Sequence, residues 1–103
     1  MALLFFSTNA QRREQVRGIW ESVSPESPFM AVDDIPDAAL QGQSGFFDLM
    51  LIDGDDPDST AVLLRFMRRQ PRSMRVLVYG ASGEHGDWSR LGERLQALGF
   101  SAA

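Results

Sequence analysis

The stretch Phe46-Phe47-Asp48-Leu49-Met50-Leu51-Ile52-Asp53-Gly54-Asp55-Asp56-Pro57-Asp58 decides the fold. Phe46 to Ile52 is apolar except for Asp48 near its start, the pattern of a strand covered on both faces. It runs directly into an acidic turn, and the period then changes. Ser59 to Arg69 has helical spacing, with Val62, Leu63, Phe66 and Met67 expected inward and Arg65, Arg68 and Arg69 outward. Pro71 stops that helix, since proline removes a donor and clashes with the preceding turn. Arg75 leads into Val76-Leu77-Val78-Tyr79, a β-branched-rich strand, and then into the glycine-rich loop Gly80 to Gly86.

The pattern extends in both directions from this unit. Leu3 to Phe6 is a second continuous apolar run. Ser7, Thr8 and Asn9 supply residues suited to capping a helix, on whose inner face Val16, Ile19, Trp20 and Val23 fall. Ser24-Pro25 ends it, because the residue before proline is pushed out of the helical region. Phe29 to Val32 reads as a short strand, Asp33 to Leu40 as a short helix starting near Pro36, and Gly42 to Gly45 as a loop. Downstream, Asp87 to Leu98 spaces Trp88, Leu91, Leu95 and Leu98 as one helical face, and Gly99 suits the residue past its end. Phe100 to Ala103 offers at most a stub of a fifth strand. Four strand-then-helix units imply a parallel sheet with right-handed crossovers, a small open α/β sandwich formed by residues 1–103 as one domain.

Composition narrows the function. The chain contains no cysteine, which removes disulfides, thiol nucleophiles and zinc–thiolate sites. No stretch approaches the ~20 apolar residues of a membrane span. The opening Met-Ala-Leu-Leu-Phe-Phe is too brief and lacks the basic flank of a secretory leader, so a cytoplasmic protein is expected. A net charge of −4 weighs against nucleic acid as partner. The basic residues are ten arginines and no lysine, which excludes any mechanism that needs a lysine.

In an open parallel sheet, ligands sit beyond the carboxyl ends of the strands, where the strand order reverses. Ser7-Thr8-Asn9, Asp33-Asp34, Asp53 to Asp58 and Gly80 to Gly86 are all strand exits and should gather on one edge. The acidic turn reads either as a site or as a solvated turn whose last carboxylates cap the next helix. It is no EF-hand loop, because Pro57 occupies a ligand position and the glycine is misplaced. Gly80 to Gly86 reads either as a backbone cradle for phosphate or as a plain connection; it matches no dinucleotide or P-loop pattern, and Glu84 would repel an anion. Ser82 lies in no nucleophile elbow, and any triad would rest wholly on His85, the single histidine. Trp88 serves either the core or a contact surface. Arg65, Arg68, Arg69, Arg72 and Arg75 form either a solvated face or a dock for an acidic partner, since guanidinium forks match carboxylates.

From its third strand the chain resembles the receiver domain of bacterial response regulators. Phe47-Asp48-Leu49-Met50-Leu51-Ile52-Asp53 is similar to that family's third strand, with Asp53 in the phosphoacceptor position and Pro57 where the family commonly has proline. The helix to Arg69, the strand Val76 to Tyr79, and Leu98-Gly99-Phe100 continue the likeness. The resemblance implies a flavodoxin-like, three-layer sandwich with a fifth strand and a fifth helix, the latter sharing a sheet face with the first; here a sheet of four strands with at most a stub of the fifth is expected, and the family's last helix is missing. Carried over residue by residue, the active site is degenerate. The acidic pair that holds Mg²⁺ falls on Ser7 and Thr8, the Thr or Ser ending the fourth strand falls on Gly80, and the lysine after the fifth strand has no counterpart.

The physics agrees with that defect. An acyl phosphate on Asp53 would add up to two charges beside Asp55 and Asp56, and unit charges about 4 Å apart interact by roughly 4 kcal/mol at an effective dielectric near 20. The sequence suggests no cation at this edge to offset the repulsion, and no metal or cofactor is expected. The missing fifth helix should also leave a sheet face bearing Leu49, Leu51, Val76 and Val78 uncovered, which a second copy or a constitutive partner would cover. The expected function is therefore a non-catalytic pseudo-receiver, a phosphorylation-independent protein-interaction module in bacterial signalling. An atypical receiver phosphorylated on Asp53 is the alternative. A small nucleotide-binding protein using Gly80 to Gly86 is the third.

Overall fold

The computed structural model describes residues 1–69, 74–80 and 87–100. Within them the elements run β1 (Leu3–Phe6), α1 (Ala10–Val23), β2 (Phe29–Val32), α2 (Ile35–Gly42), β3 (Leu49–Asp53), α3 (Pro57–Met67), β4 (Arg75–Tyr79), a 3₁₀ turn (Trp88–Arg90) and α4 (Leu91–Ala97). All strands pair in parallel, in the order β2-β1-β3-β4. This is the flavodoxin-like order, in which β1 and β3 are interior strands and the sequence direction reverses between them.

Every side chain of β1 and β3 is buried, which accounts for their unbroken apolar sequence. The register pairs Leu3 with Leu49 and Phe5 with Leu51, and Leu51 in turn with Leu77. These residues form one core with Val16, Trp20 and Val23 of α1, and with Trp88, Leu91, Leu95 and Phe100. The alternate positions Leu4, Phe6, Met50 and Ile52 form a second core with Val32, Ala38, Phe47 and Leu63. Because β2 and β3 flank β1 on opposite sides, right-handed crossovers put α1 on one face and α2 and α3 on the other. Accordingly α2 packs with α3, and α1 packs with α4.

The placement of α4 corrects one expectation. Leu49 and Leu51 are buried under α1 and α4, so no open face exists there. The expected grouping also mixed two faces: Val76 and Val78 pair with Met50 and Ile52 and lie on the opposite side of the sheet, half-buried against the second core. With four α-helices among the described residues, the chain uses its last one beside α1.

Several boundaries shift for local reasons. β3 begins at Leu49 because Asp48 is tied to the chain start: its N–H donates to the Ala2 carbonyl at 2.9 Å, and its carboxylate accepts from the Ala2 N–H at 2.7 Å. Phe46 is left exposed, with its ring edge-on to buried Phe47. α2 starts at Ile35, capped by Asp34, and runs on to Gly42. α3 begins at Pro57 rather than Ser59, since Asp56 caps it and proline is well suited to a first helical position. Within α3, Val62 is 46% exposed rather than buried. Thr60 takes an inner position, its hydroxyl donating to the carbonyls of Asp53 and Asp56.

The last helix opens as a 3₁₀ turn capped by Asp87, whose carboxyl is held below its ordinary range by the Ser89 hydroxyl and N–H. It closes on Gly99 at φ +90°, with the Gly99 N–H donating to Gln96 and the Phe100 N–H to Leu95. That is the Schellman arrangement, so Phe100 ends a helix and enters the first core instead of opening a strand. Residues 101–103 of the expected stub and Pro71 lie outside the described residues.

If α4 is the cover of this face, truncating Leu91 should cost about 2–5 kcal/mol of stability. Urea unfolding of Leu91→Ala, followed by tryptophan fluorescence, checks this.

Candidate functional site

The carboxyl edge of the sheet brings together Ser7, Asp53 to Asp58 and Gly80, with Asp33 and Asp34 beside them at the end of β2. Ser7 and Asp53 stand where the strand order reverses. Both are buried, Ser7 completely and Asp53 to 5% exposure. The Ser7 hydroxyl donates to Asp53 Oδ2 at 2.6 Å. Asp53 Oδ1 accepts the Asp55 backbone N–H at 2.9 Å. Both oxygens of the carboxylate are therefore committed within the protein. Hydrogen bonds to a charged group contribute about 1.5–3 kcal/mol each, and a buried carboxylate without them would be costly. Ser7 itself is fixed: its N–H donates to the Val32 carbonyl, and its oxygen accepts the Asn9 N–H. Thr8 is exposed, and Asn9 caps α1 through the Arg12 N–H.

The other carboxylates of the acidic turn have separate tasks. Asp56 caps α3, accepting the N–H and the hydroxyl of Ser59. Asp58 lies in the first turn of α3, where its charge suits the helix dipole. Asp55 turns back over the edge. Its Oδ2 accepts the Trp88 indole N–H at 3.1 Å and lies 3.3 Å from the Arg12 guanidinium. Its Oδ1 lies 2.7 Å from where a Cβ at Gly80 would stand, and Gly80 has φ +117°. The receiver-like position after β4 therefore has a physical reason to be glycine. Asp34 caps α2, and among the described residues no three carboxylates or imidazoles converge as a metal site.

Positive charge does reach this edge, which corrects the expectation that none would. Arg12 spans from α1 to Asp55, its guanidinium 4.3 Å from the centre of the Trp88 ring. Arg13 donates to the Ser7 carbonyl at 2.8 Å. One sequence signal could have found them. Both arginines occupy the first turn of α1, where the helix dipole disfavours cations. A basic pair there needs a carboxylate or carbonyl in front of it, and the edge supplies both.

Trp88 is 5% exposed, its ring edge-on to Phe5 and Tyr79, so it belongs to the core and offers no partner contact. Arg65, Arg68 and Arg69 are exposed on or just past α3. Arg75 lies across the Phe100 ring and donates to the Leu98 carbonyl. Arg72, Ser82, Glu84, His85 and the rest of the loop from 81 to 86 lie outside the described residues. No protein-family model matches the chain, and no curated protein matches it significantly.

Two substitutions test this arrangement. Ser7→Ala leaves buried Asp53 without its short hydroxyl partner and should lower stability by about 1–3 kcal/mol in urea unfolding. Gly80→Ala meets both an unfavourable φ and the Asp55 carboxylate. A loss of about 1–3 kcal/mol by the same measurement is expected.

Proposed function

We propose that the chain is a pseudo-receiver, a receiver-like scaffold that serves as a phosphorylation-independent protein-interaction module in bacterial signalling or regulation, with the cytoplasm as its setting. The observation that carries this reading is the state of Asp53. It is 5% exposed and each of its oxygens already accepts a hydrogen bond, one from Ser7 and the other from the Asp55 N–H, so attack on a phosphodonor would require these partners to move aside. Phosphoryl transfer also relies on cations placed around the transferred group. The receiver-like acidic pair is replaced by Ser7 and Thr8, and the chain has no lysine.

The partner on this reading is another protein rather than a second copy. The argument for a homodimer was an uncovered face at Leu49 and Leu51, and α4 covers it. The reading of Asp53 as a working phosphoacceptor draws on one observation, the Arg12 and Arg13 pair at the edge. Both guanidinium groups are already engaged, Arg12 by Asp55 and Arg13 by the Ser7 carbonyl, so they favour it only if those contacts break. The nucleotide-binding reading depends on the loop from 81 to 86, outside the described residues.

Amide spectra recorded with Mg²⁺ and beryllofluoride separate these readings. A pseudo-receiver leaves the resonances of Asp53 to Asp58 and Gly80 in place; shifts clustered on Asp53 would establish the phosphorylatable alternative.

A further inference from the structure

The two flanks of α3 differ in cover. Thr60, Leu64 and Met67 lie on one flank, and Met67 reaches toward α2, its sulfur 3.5 Å from where a Gly42 Cβ would be. Helical spacing puts Val62, Phe66 and Arg69 on the other flank, with Arg65 next to them. The strand order then fixes where that flank points. α2 joins β2 to β3, and α3 joins β3 to the edge strand β4, so the flank away from α2 faces the outer side of β4.

On that face of the sheet β4 presents Val76 and Val78, both half-buried, whereas Leu77 and Tyr79 on its other face are buried. Among the described residues no helix lies beyond α3 on this side. Helical spacing and strand order therefore set Val62 and Phe66 on the side of α3 nearest Val76 and Val78, as a shallow apolar strip. Exposed Arg65 and Arg69 border it toward the C-terminal end of α3, and exposed Asp58 stands one turn before Val62 at the other end. Arg65, Arg68 and Arg69 are exposed, and among the described residues no carboxylate pairs with them.

We infer that this strip is the docking surface for an acidic amphipathic helix of another protein, laid beside α3 over the outer face of β4. Charge selects that occupant. In a chain of net charge −4, Arg65 and Arg69, which no carboxylate pairs among the described residues, stand beside an apolar strip, and guanidinium groups match carboxylates bidentately. Helices pack at axial distances of about 8–10 Å, so a helix there would continue the layer that α2 and α3 form. The exposed side of α1 mixes Glu14 and Glu21 with Arg17, which pairs with Glu14, so it offers no uniformly acidic face for a second copy to dock. An apolar centre and a negative net charge disfavour nucleic acid. The inference rests on the proposed reading as an interaction module and names the chemistry of its partner.

The test uses a labelled synthetic helix of about 20 residues, long enough to be helical, with a leucine stripe and glutamates elsewhere. Its twin carries lysine for glutamate. Anisotropy titrations should give saturable binding of the glutamate peptide, none of the lysine peptide, and weakening with added salt. Arg65→Glu combined with Arg69→Glu, and separately Val62→Asp, should each weaken binding by roughly tenfold or more. These residues are exposed, so circular dichroism should show both variants folded. Failure of the glutamate peptide to bind, equal binding of its lysine twin, or unchanged affinity in the arginine variant would overturn the inference. So would tighter binding of a single-stranded oligonucleotide or of phosphatidylglycerol vesicles. The beryllofluoride spectra report separately: inert Asp53 with a failed peptide removes this surface alone, while shifts at Asp53 remove the module reading itself.

Discussion

Complete burial of β1 and β3 is the constraint from which the rest of the architecture follows. Interior parallel strands with apolar side chains on both faces must be covered on both. Crossovers out of β2 and β3 supply helices to one face only. The other face has α1, which alone does not extend over Leu51, Leu77 and Tyr79. The chain after β4 closes that gap: Trp88, Leu91 and Leu95 meet Phe5, Leu51 and Tyr79, and the Schellman turn at Gly99 carries Phe100 in behind them. Since no strand follows α4 among the described residues, no crossover rule assigns it a face, and burial alone decides the choice.

The same packing disposes the carboxyl edge. Trp88 is drawn in as a core residue, and its indole N–H is thereby aimed at Asp55. Arg12 then lies across the indole ring and against the same carboxylate, at a helix start that the dipole would otherwise make unfavourable for it. Asp53, one turn of chain away, is closed off by Ser7. The contacts form a network joining α1, the acidic turn and the last helix. Each contact satisfies a charge or donor that another element brings to the edge. A covalent phosphoryl group on Asp53 would have to displace Ser7 and then stand beside carboxylates already committed to Arg12 and to the cap of α3.

The apolar runs made the strands legible in the sequence. Leu3 to Phe6 and Phe29 to Val32 have the same bounds in the structure as in the reading, and the cap Asn9 and the terminating Gly99 were visible as residue types, whereas Asp87, read as part of its helix, is the cap. What escaped depended on contacts distant in sequence. β3 starts late, at Leu49, because Asp48 is tied to Ala2. Val62 looks like a core residue by spacing, but α3 is rolled so that Thr60 can reach the Asp53 carbonyl. The face occupied by α4 could not be read, because helical periodicity gives an inner side without saying against which sheet face it lies. The partnership of Arg12 with Asp55 crosses from one loop to another, and only the dipole argument marked the arginine as needing a partner.

The absence of lysine has its consequence here. A receiver-like domain reads its phosphate through an ammonium group near the acceptor, and here Arg12 and Arg13 at this edge are engaged by Asp55 and a backbone carbonyl. On the proposed reading Asp53, held by Ser7, takes on no new charge, and a change of charge there is what would let one end of the sheet alter the other. Any contact surface on this scaffold is then fixed by the fold itself. The outer flank of α3 fits that condition: its residues are displayed by helix geometry and by the position of β4 at the sheet edge, and neither depends on the state of Asp53. On the proposed reading, a surface of that kind would serve constitutive association.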